Sequence, residues 1–332
     1  MAPMMAVREL YREFRTVKRQ PGFLGSIRTF FTRQYNVVRA VDHVSFSIER
    51  GELVGYIGPN GAGKSTTLKM LTGVLVPTSG YVETDGLVPH KHRQELAGRI
   101  GAVFGQRSQL WWDLPLAESF RILREVYRVP DETYERNMHA FNELVGLDEL
   151  LNTPVRQLSL GQRMRGEMVA ALLHDPEIVF LDEPLIGLDV VAKERMRQFI
   201  AEINRERGVT VILASNDMAD VERLCERIII IDHGRLLYDG TVKELKRRHA
   251  PYRTLVVHFE EDYPQIRAEG AELVRRDTRR AWLRFDRTVN PQQLIADLSE
   301  RYLITDLSIE EPTLEDVIRG IYEQTEHEEG EP

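Results

Sequence analysis

"GPNGAGKST", residues 58–66, combines glycines, a lysine and two hydroxyl side chains in the order G-x-x-x-x-G-K-[ST]. Glycines allow backbone N–H groups to turn inward around phosphate oxygens, and the lysine reaches the β and γ phosphates of a nucleotide. The alternating stretch "AVDHVSFSIERGELVGYIG" precedes this loop, and a helical pattern follows it from Lys64 to Leu75. A strand, a phosphate loop and a helix in this order predict a nucleotide-binding α/β domain.

The residues of this phosphate loop are the first predicted ATP contacts. Ser65 supplies a hydroxyl to Mg²⁺, and the helix that begins at Lys64 directs its positive end at the phosphates. The predicted ATP-binding set within the loop is Gly58, Asn60, Gly61, Gly63, Lys64, Ser65 and Thr66. ATP and Mg²⁺ are therefore the expected cofactors.

A second motif, "IVFLDEP", residues 178–184, places two carboxylates after four apolar residues. Charge at the end of a buried strand is costly unless it has a partner or a task. We expect Asp182 to hold Mg²⁺ and Glu183 to orient or deprotonate the attacking water. Helix capping is the plain structural alternative.

A third motif, "LSLGQ", residues 158–162, stands at the start of a helical pattern. Ser159, the N–H of Gly161, Gln162 and the helix dipole predict a second anion site. An ordinary N-cap explains such a short pattern equally well when it stands alone. Its position about twenty residues before the strand that ends in Asp182 favours the anion site.

Periodicity indicates the arrangement of the rest of the chain. Helical patterns cover residues 116–128, 132–145, 159–174 and 190–207, and the apolar runs "EIVFLDEP" and "VTVILAS" predict parallel strands covered on both faces. The predicted domains are a nucleotide-binding domain over residues 1–248, with a helical subdomain at 107–174, and a small α+β domain over 251–324 that alternates strand and helix. Residues 325–332 form an acidic tail.

Composition limits the class of protein. The 332 residues carry a net charge of −8, which gives nucleic-acid binding no electrostatic support. No stretch reaches the roughly 18 to 20 apolar residues that span a bilayer, and a single cysteine indicates a reducing compartment such as the cytoplasm. A basic insertion with aromatics covers residues 8–39. It is expected either to pack on its own domain or to face a membrane or partner subunit.

On these three motifs the chain resembles the ATP-binding subunit of an ABC transporter, of the kind that serves separately encoded ABC-2 type permeases. The resemblance covers residues 35–248, and the C-terminal segment is similar to a small extra domain that many such subunits carry. It implies a P-loop NTPase fold of the ABC ATPase type, with a mixed sheet core and a helical subdomain. It also implies export, a place at the cytoplasmic face of the membrane, and a head-to-tail homodimer or heterodimer that clamps each ATP between one phosphate loop and the partner's "LSLGQ".

The resemblance assigns further roles. Gln106 in "VFGQRSQL" corresponds to a glutamine that contacts Mg²⁺ and water and links the site to the membrane subunit, and Asp189 to an aspartate that crosses the dimer toward the opposite phosphate loop. Tyr35, about 23 residues before Gly58, is the expected adenine-stacking aromatic, with Tyr11 as its rival. Such stacking is worth about 1 to 3 kcal/mol.

Two adjacent tryptophans, Trp111 and Trp112, follow this glutamine. They are candidates for the core, but the family places here the groove that receives the permease, and aromatic anchors are enriched at interface hot spots. We therefore treat them as a hypothetical permease contact.

Two residues depart from the family pattern, Leu185 for threonine and Asn216 for histidine. Leu185 is expected to alter packing only. Asparagine donates one hydrogen bond but cannot become cationic, so Asn216 is predicted to slow hydrolysis while ATP binding and dimer closure persist. His233 lies in the turn after the next strand, out of register to replace the histidine.

Two other functions compete with a transporter subunit in which both ATP sites are active. A soluble ABC ATPase acting on ribosomes or DNA is disfavoured by the acidic charge, the single phosphate loop and the lack of a long coiled-coil insertion. The weak-site half of a heterodimer remains open, since a second subunit could supply a complete site.

Overall fold

The computed structural model describes residues 3–17, 35–105 and 108–329. Contacts along the chain divide it into two compact units, Met1–Gly240 and Thr241–Pro332. The predicted boundary lay about ten residues further along. The difference arises because the helix over Val242–His249 packs with the last helix of the chain and so belongs to the second unit.

The elements of the first unit are, in chain order, β1 (Met5–Val17), β2 (Tyr35–Ile48), β3 (Leu53–Ile57), α1 (Lys64–Leu71), β4 (Ser79–Thr84), α2 (Arg93–Ala97), β5 (Ile100–Phe104), α3 (Leu116–Tyr127), α4 (Asp131–Val145), α5 (Leu160–Leu172), β6 (Ile178–Asp182), α6 (Val190–Arg207), β7 (Thr210–Ser215), α7 (Met218–Leu224), β8 (Arg227–Asp232) and β9 (Arg235–Thr241). The predicted helices agree with α3, α4, α5 and α6 to within about three residues at each end.

The core sheet of this unit has the strand order β5-β6-β7-β3-β8-β9. Its pairs β5–β6, β6–β7, β7–β3 and β3–β8 are all parallel, and every residue of β6 and β7 is buried. This confirms the parallel strands predicted from the apolar runs. Because parallel strands end at the same edge, the phosphate loop after β3, Asp182 at the end of β6 and Asn216 after β7 lie along one edge of the sheet.

A second, antiparallel sheet has the order β2-β1-β4. The sequence pattern does not predict strand β1, most of which falls in the basic insertion over residues 8–39. Met5, Val7 and Leu10 are almost completely buried and anchor β1 to the core. The two described ends of the predicted insertion, residues 8–17 and 35–39, belong to strands β1 and β2. Residues 18–34 lie outside the described part of the chain.

The second unit contains, in chain order, α8 (Val242–His249), β10 (Tyr252–Phe259), β11 (Ala271–Asp277), β12 (Arg280–Asp286), α9 (Pro291–Arg301), β13 (Ile304–Glu310) and α10 (Leu314–Glu329). Its antiparallel sheet has the order β11-β12-β10-β13. The strand–helix alternation predicted for residues 251–324, which places a first helix over "YPQIRAEG", is wrong there: residues 263–270 form a loop in which Ile266 is buried and Tyr263 and Ala268 are partly buried against the core, and a β11–β12 hairpin follows. Pro264 and Gly270 disfavour helix at both ends of this stretch.

Within the described ranges, no helix has the length and apolar character that a bilayer crossing requires.

Candidate functional site

The phosphate loop is positioned by β3 on one side and α1 on the other. Gly63 has φ +105° and so lies in the left-handed region that favours glycine, and a Cβ there would stand 2.2 Å from the carbonyl oxygen of Ala40. A Cβ on Gly58 would stand 2.3 Å from the carbonyl oxygen of Ile231. Both glycines are therefore required by close backbone packing, which holds the loop against β2 and β8.

Lys64 is buried beneath this loop. Its Nζ donates to the carbonyl oxygens of Gly58 at 2.6 Å and Pro59 at 3.2 Å, and lies 3.7 Å from Glu183 Oε1. Burial lowers the pKa of the Lys64 ammonium, while the carboxylates of Glu183 and Asp182 act in the opposite direction. The ammonium is thus held inside the loop, where nucleotide phosphates would add the negative charge that favours its charged form.

Asp182 ends β6 and is 7% exposed. Its Oδ1 is buried and has no hydrogen-bond partner among the described residues. An unpaired buried carboxylate oxygen is unfavourable in an apolar setting and suits a hard cation such as Mg²⁺. The donor set therefore fits the predicted metal.

Glu183 follows with a left-handed backbone, φ +55°, which is uncommon for a residue other than glycine. Its N–H donates to the Ala214 carbonyl oxygen at 2.9 Å, which ties it to β7. Burial raises the pKa of the Glu183 carboxyl, and Lys64 partly opposes the rise. A carboxylate with a raised pKa is a better proton acceptor near neutral pH than an exposed one.

Asn216 stands directly after β7 and joins two parts of the site. Its backbone N–H donates to Glu183 Oε2 at 3.4 Å, and its Nδ2 donates to Asn60 Oδ1 of the phosphate loop at 3.4 Å. Both hydrogen bonds are long and therefore weak. The structure thus brings Asn60, Lys64, Asp182, Glu183 and Asn216 to one place, with Ser65 and Thr66 half-buried in the first turn of α1.

The "LSLGQ" motif forms a capping box at the start of α5. Gln162 N donates to Ser159 Oγ at 3.2 Å, and Ser159 N donates to Gln162 Oε1 at 2.8 Å. Beside it lies a cavity of about 310 Å³ lined by Ser159, Gly161, Gln162, Arg165, Asp189, Val191, Ala192 and Arg195. The two arginines make this cavity suitable for an anion.

Asp189 belongs to this second cavity and N-caps α6, with its Oδ1 accepting from Ala192 N at 2.9 Å. No residue of the chain's own phosphate loop lines the cavity in the described ranges. The predicted ATP-binding residues therefore form two groups: one around Lys64 and one around Ser159.

Neither tryptophan is part of the core: Trp111 is 40% exposed and Trp112 51%. Their backbone is nonetheless held, since Trp111 N donates to Ser119 Oγ at 3.1 Å and Arg156 N donates to the Trp112 carbonyl oxygen at 2.9 Å. Exposed indoles on a fixed backbone are suited to docking a partner.

Two predicted residues cannot be placed. Gln106 lies outside the described residues, and so does the side chain of Tyr35, whose backbone begins β2. The rival Tyr11 already has partners, because its ring lies 5.1 Å from that of His43 and its hydroxyl donates to Glu13 at 2.9 Å.

Leu185 is 3% exposed and packs in the core. His233 is exposed and pairs with its neighbour Asp232.

An ion-pair network that the sequence reasoning missed supports Asn216. Lys193 of α6 pairs with Asp217 at 2.7 Å, and Arg197 pairs with the buried Asp220 at 2.5 Å. Asp217 N-caps α7 directly after Asn216. In the sequence, the acidic residues at the start of α7 were the available signal. Lys193 and Arg197 lie on the preceding helix, α6, and become partners of these residues only in the folded chain.

Four exposed apolar residues that were also missed form a patch close in sequence to the second cavity, and one of them, Val191, lines it. Leu160, Ile186, Val190 and Val191 are 39%, 55%, 80% and 63% exposed. The pair Val190-Val191 directly after Asp189 was the only sequence signal for it.

Comparisons with known proteins agree with this geometry. The family described as "ABC transporter" matches residues 41–186, and the family described as "ATP-binding protein DrrA1-3-like, C-terminal domain" matches residues 240–319. The chain is 34% identical to the ABC transporter ATP-binding protein NatA of Bacillus subtilis over 215 residues, 65% of this chain and 87% of NatA. It is 34% identical to the Nod factor export ATP-binding protein I of Ralstonia nicotianae over 272 residues, 80% and 82% of the two chains.

A third relative is the bacitracin transport ATP-binding protein BcrA of Bacillus licheniformis, 33% identical over 225 residues, 68% of this chain and 72% of BcrA. Among solved structures, the dimeric ATP-binding cassette MJ0796 in a post-hydrolysis state with ADP and Pi matches with a TM-score of 0.60 at 26% identity, over 72% of this chain and 99% of that one.

Proposed function

This chain belongs to the family of ABC transporter ATP-binding subunits, which are ATPases coupled to transport, and from that premise we propose that it energises export through a separate ABC-2 type membrane permease. One observation carries the proposal: Lys64, Glu183 and the unpaired buried oxygen of Asp182 meet beneath the phosphate loop. Such a group can bind magnesium nucleotide and activate water.

The roles within the site follow from its charges. Ser65, Asp182 and Gln106 would hold Mg²⁺, which neutralises charge on the phosphates when it is bound. Mg²⁺ commonly binds through one or two carboxylates together with phosphate oxygens, which fits Asp182 beside a bound nucleotide. Lys64 contacts the β and γ phosphates, Tyr35 stacks on adenine, and Glu183 accepts a proton from the attacking water.

A second ATPase subunit completes each site. The cavity of Ser159 and Asp189 receives the phosphates held by the partner's phosphate loop, and the patch of Leu160, Ile186, Val190 and Val191 is covered by the partner. Exposed apolar surface of this kind marks association sites, and the cassette MJ0796 is dimeric. A homodimer uses two copies of this chain; a heterodimer pairs it with a subunit that has a complete site.

The membrane partner docks at Trp111 and Trp112. Their exposure on a fixed backbone supports this assignment, and the C-terminal match over residues 240–319 supports a permease of the ABC-2 type. Export is supported by a relative that is an export protein by name. The chain then works at the cytoplasmic face of the membrane.

Asn216 makes this a slow ATPase. Its amide reaches Asn60 and its backbone reaches Glu183, both at 3.4 Å, so the contacts that would fix the attacking water are weak. Binding and closure depend on other residues and persist.

Co-expression of the full chain with an ABC-2 type permease encoded beside it tests the proposal. We expect the two to co-purify in detergent and the chain to bind MgATP, while Lys64→Ala loses nucleotide binding and keeps the permease. The proposal would be contradicted if the chain bound no nucleotide, or if it sedimented with ribosomes and did not co-purify with the permease.

A further inference from the structure

A buried carboxylate joins helix α5 to the segment that leads into the tryptophans. Glu167, 5% exposed, accepts hydrogen bonds from Ser108 Oγ and from Gln109 N, the latter at 3.2 Å. Gln109 Nε2 returns a hydrogen bond to the Glu167 carbonyl oxygen at 3.3 Å. Among the described residues no cation lies within ion-pair distance of Glu167, and burial raises the pKa of its carboxyl. The hydrogen bonds from Ser108 and Gln109, and more weakly the charge of Arg163, oppose that rise in pKa, and a carboxylate buried in this way depends strongly on its donors.

Packing strengthens the same junction. A Cβ on Gly166 would lie 2.8 Å from Leu116 Cδ1 and 3.1 Å from Leu110 Cδ1, so glycine allows both leucines to approach α5 closely. One turn earlier on α5, the guanidinium of Arg163 lies 5.6 Å from the ring centroid of Trp112. Helix α5 therefore contacts residues 108–112, the Trp-bearing segment, through a carboxylate, an apolar contact and a cation–π contact.

The N-terminus of α5 lies at the second anion site. Ser159 caps the helix, and Glu167 lies eight positions further along it, a distance of about 12 Å at 1.5 Å per residue. A continuous helix of this length moves as one body. It connects the cavity of Ser159 at its N-terminus with the junction at its middle, which holds the Trp-bearing segment.

We propose that Glu167 is a positioning residue that locks the Trp-bearing segment to α5, so that displacement of Trp111 and Trp112 and displacement of Ser159 occur together. The inference rests on the proposed function, because it uses helix α5 to connect the proposed permease contact at Trp111 and Trp112 with the proposed second ATP-binding cavity at Ser159. Without the lock, ATP still binds at the phosphate loop, but the tryptophans no longer follow the movement of α5.

The first test needs no permease. Trp282→Phe in the full chain removes the only tryptophan other than Trp111 and Trp112, so fluorescence then reports on the Trp-bearing segment alone. We expect MgATP to change this fluorescence. Adding Glu167→Gln should reduce the amplitude of the change and leave the MgATP concentration at its midpoint within about twofold of the Trp282→Phe protein, because residues that couple two sites act on the linkage and not on binding itself. No change in the Trp282→Phe protein, or an equal amplitude in Glu167→Gln, would overturn the inference.

The second test uses the permease complex. We expect Glu167→Gln to lower the ratio of permease-stimulated to basal ATP turnover by about 2- to 30-fold, the range found for residues on coupling networks. Ser108→Ala, which removes one donor and leaves Gln109 N, has a smaller effect, and the double variant is not additive. Glu143→Gln, the same change on an exposed residue of α4, is the matched control and leaves the ratio unchanged.

The two tests separate the possible failures. If Glu167→Gln lowers basal and stimulated turnover in equal proportion together with Tm, Glu167 has only a structural role and the inference is wrong. If the fluorescence effect is present but the chain binds no permease, the proposed partner is wrong and the link between α5 and the tryptophans stands.

Discussion

At the scale of single residues, Asn216 lies where the sheet edge, the phosphate loop and Glu183 meet. Its contacts at 3.4 Å are longer than well-formed N–H···O bonds, which have a mode near 2.9 to 3.0 Å. The surrounding structure is firm, since Asp217 is held by Lys193 and by its own cap on α7. A change at position 216 is therefore expected to act on chemistry and leave the fold intact.

Replacing Asn216 with histidine tests this expectation. The imidazole supplies a donor that can become cationic at a site where charge develops, and we expect turnover to rise by up to about 10² to 10³, the value of one preorganised donor. Phosphate release by the full chain at saturating MgATP measures it. Asn216→Ala, which removes the amide, is the control and is expected to be slower still; equal rates for asparagine and histidine would rule the idea out.

The protonation of Glu183 gives a prediction of pH dependence. Burial raises its pKa above the ordinary value of 4.5, and the residue acts as a base only when it is deprotonated. Turnover is therefore full above the raised pKa and falls as pH decreases through it. We expect the acid limb of kcat/KM, which reports the free enzyme, to have its midpoint above 4.5, with MgATP affinity measured over the same range to separate binding from chemistry. A midpoint at or below 4.5 contradicts the assignment of Glu183 as base.

At the scale of elements, α5 serves two purposes, as a structural helix and as the wall of an anion cavity. Its capping box satisfies the first-turn N–H of Gln162, and the same Ser159 lines the cavity. Helix ends combine these purposes readily, because the groups that need a cap are also the groups that attract anions. Sequence alone could not separate an N-cap from a ligand site, and the cavity shared with Asp189 is what favours the second.

Substituting Ser159 with alanine separates the two purposes. Loss of the cap costs about 1 kcal/mol of stability, and loss of the second anion site removes ATP-dependent dimerisation if that site is used. Asn290→Ala removes the equivalent cap of α9, where Asn290 accepts from Gln292 N at 3.0 Å, and is the matched control. Thermal unfolding and size-exclusion chromatography with MgATP measure both effects. Dimerisation that survives in Ser159→Ala would show that the motif is only a cap.

At the scale of the whole molecule, the first unit presents two surfaces that a folded subunit alone leaves uncovered. One is the apolar patch that includes Val190, at 80% exposure, and the other carries Trp111 and Trp112. Large apolar side chains on a fixed backbone indicate partners more strongly than scattered exposed residues do. The proposed assembly covers the first surface with a second ATPase subunit and the second with a permease.

Replacing both Trp111 and Trp112 with alanine is expected to weaken permease binding and leave the subunit folded. Truncation of central interface aromatics commonly costs about 2 kcal/mol or more each, whereas exposed side chains add little to stability. Co-purification in detergent and the Tm of the isolated subunit are the two measurements. A large fall in Tm with unchanged permease binding would contradict the interface assignment.

Much of this protein could be predicted from local patterns. The glycine loop, the carboxylates after a buried strand and the start of α5 are each set by neighbours in the chain, so their chemistry and the parallel core could be inferred without coordinates. The fold alone decided what depends on distant residues: β1 became a strand because its apolar side chains reach the core. The pairing of Glu167 with Ser108, 59 positions away, and the meeting of Lys64 with Glu183 likewise required the tertiary structure. A hydrogen bond or ion pair depends on distance in space, which the spacing of residues along the chain does not determine.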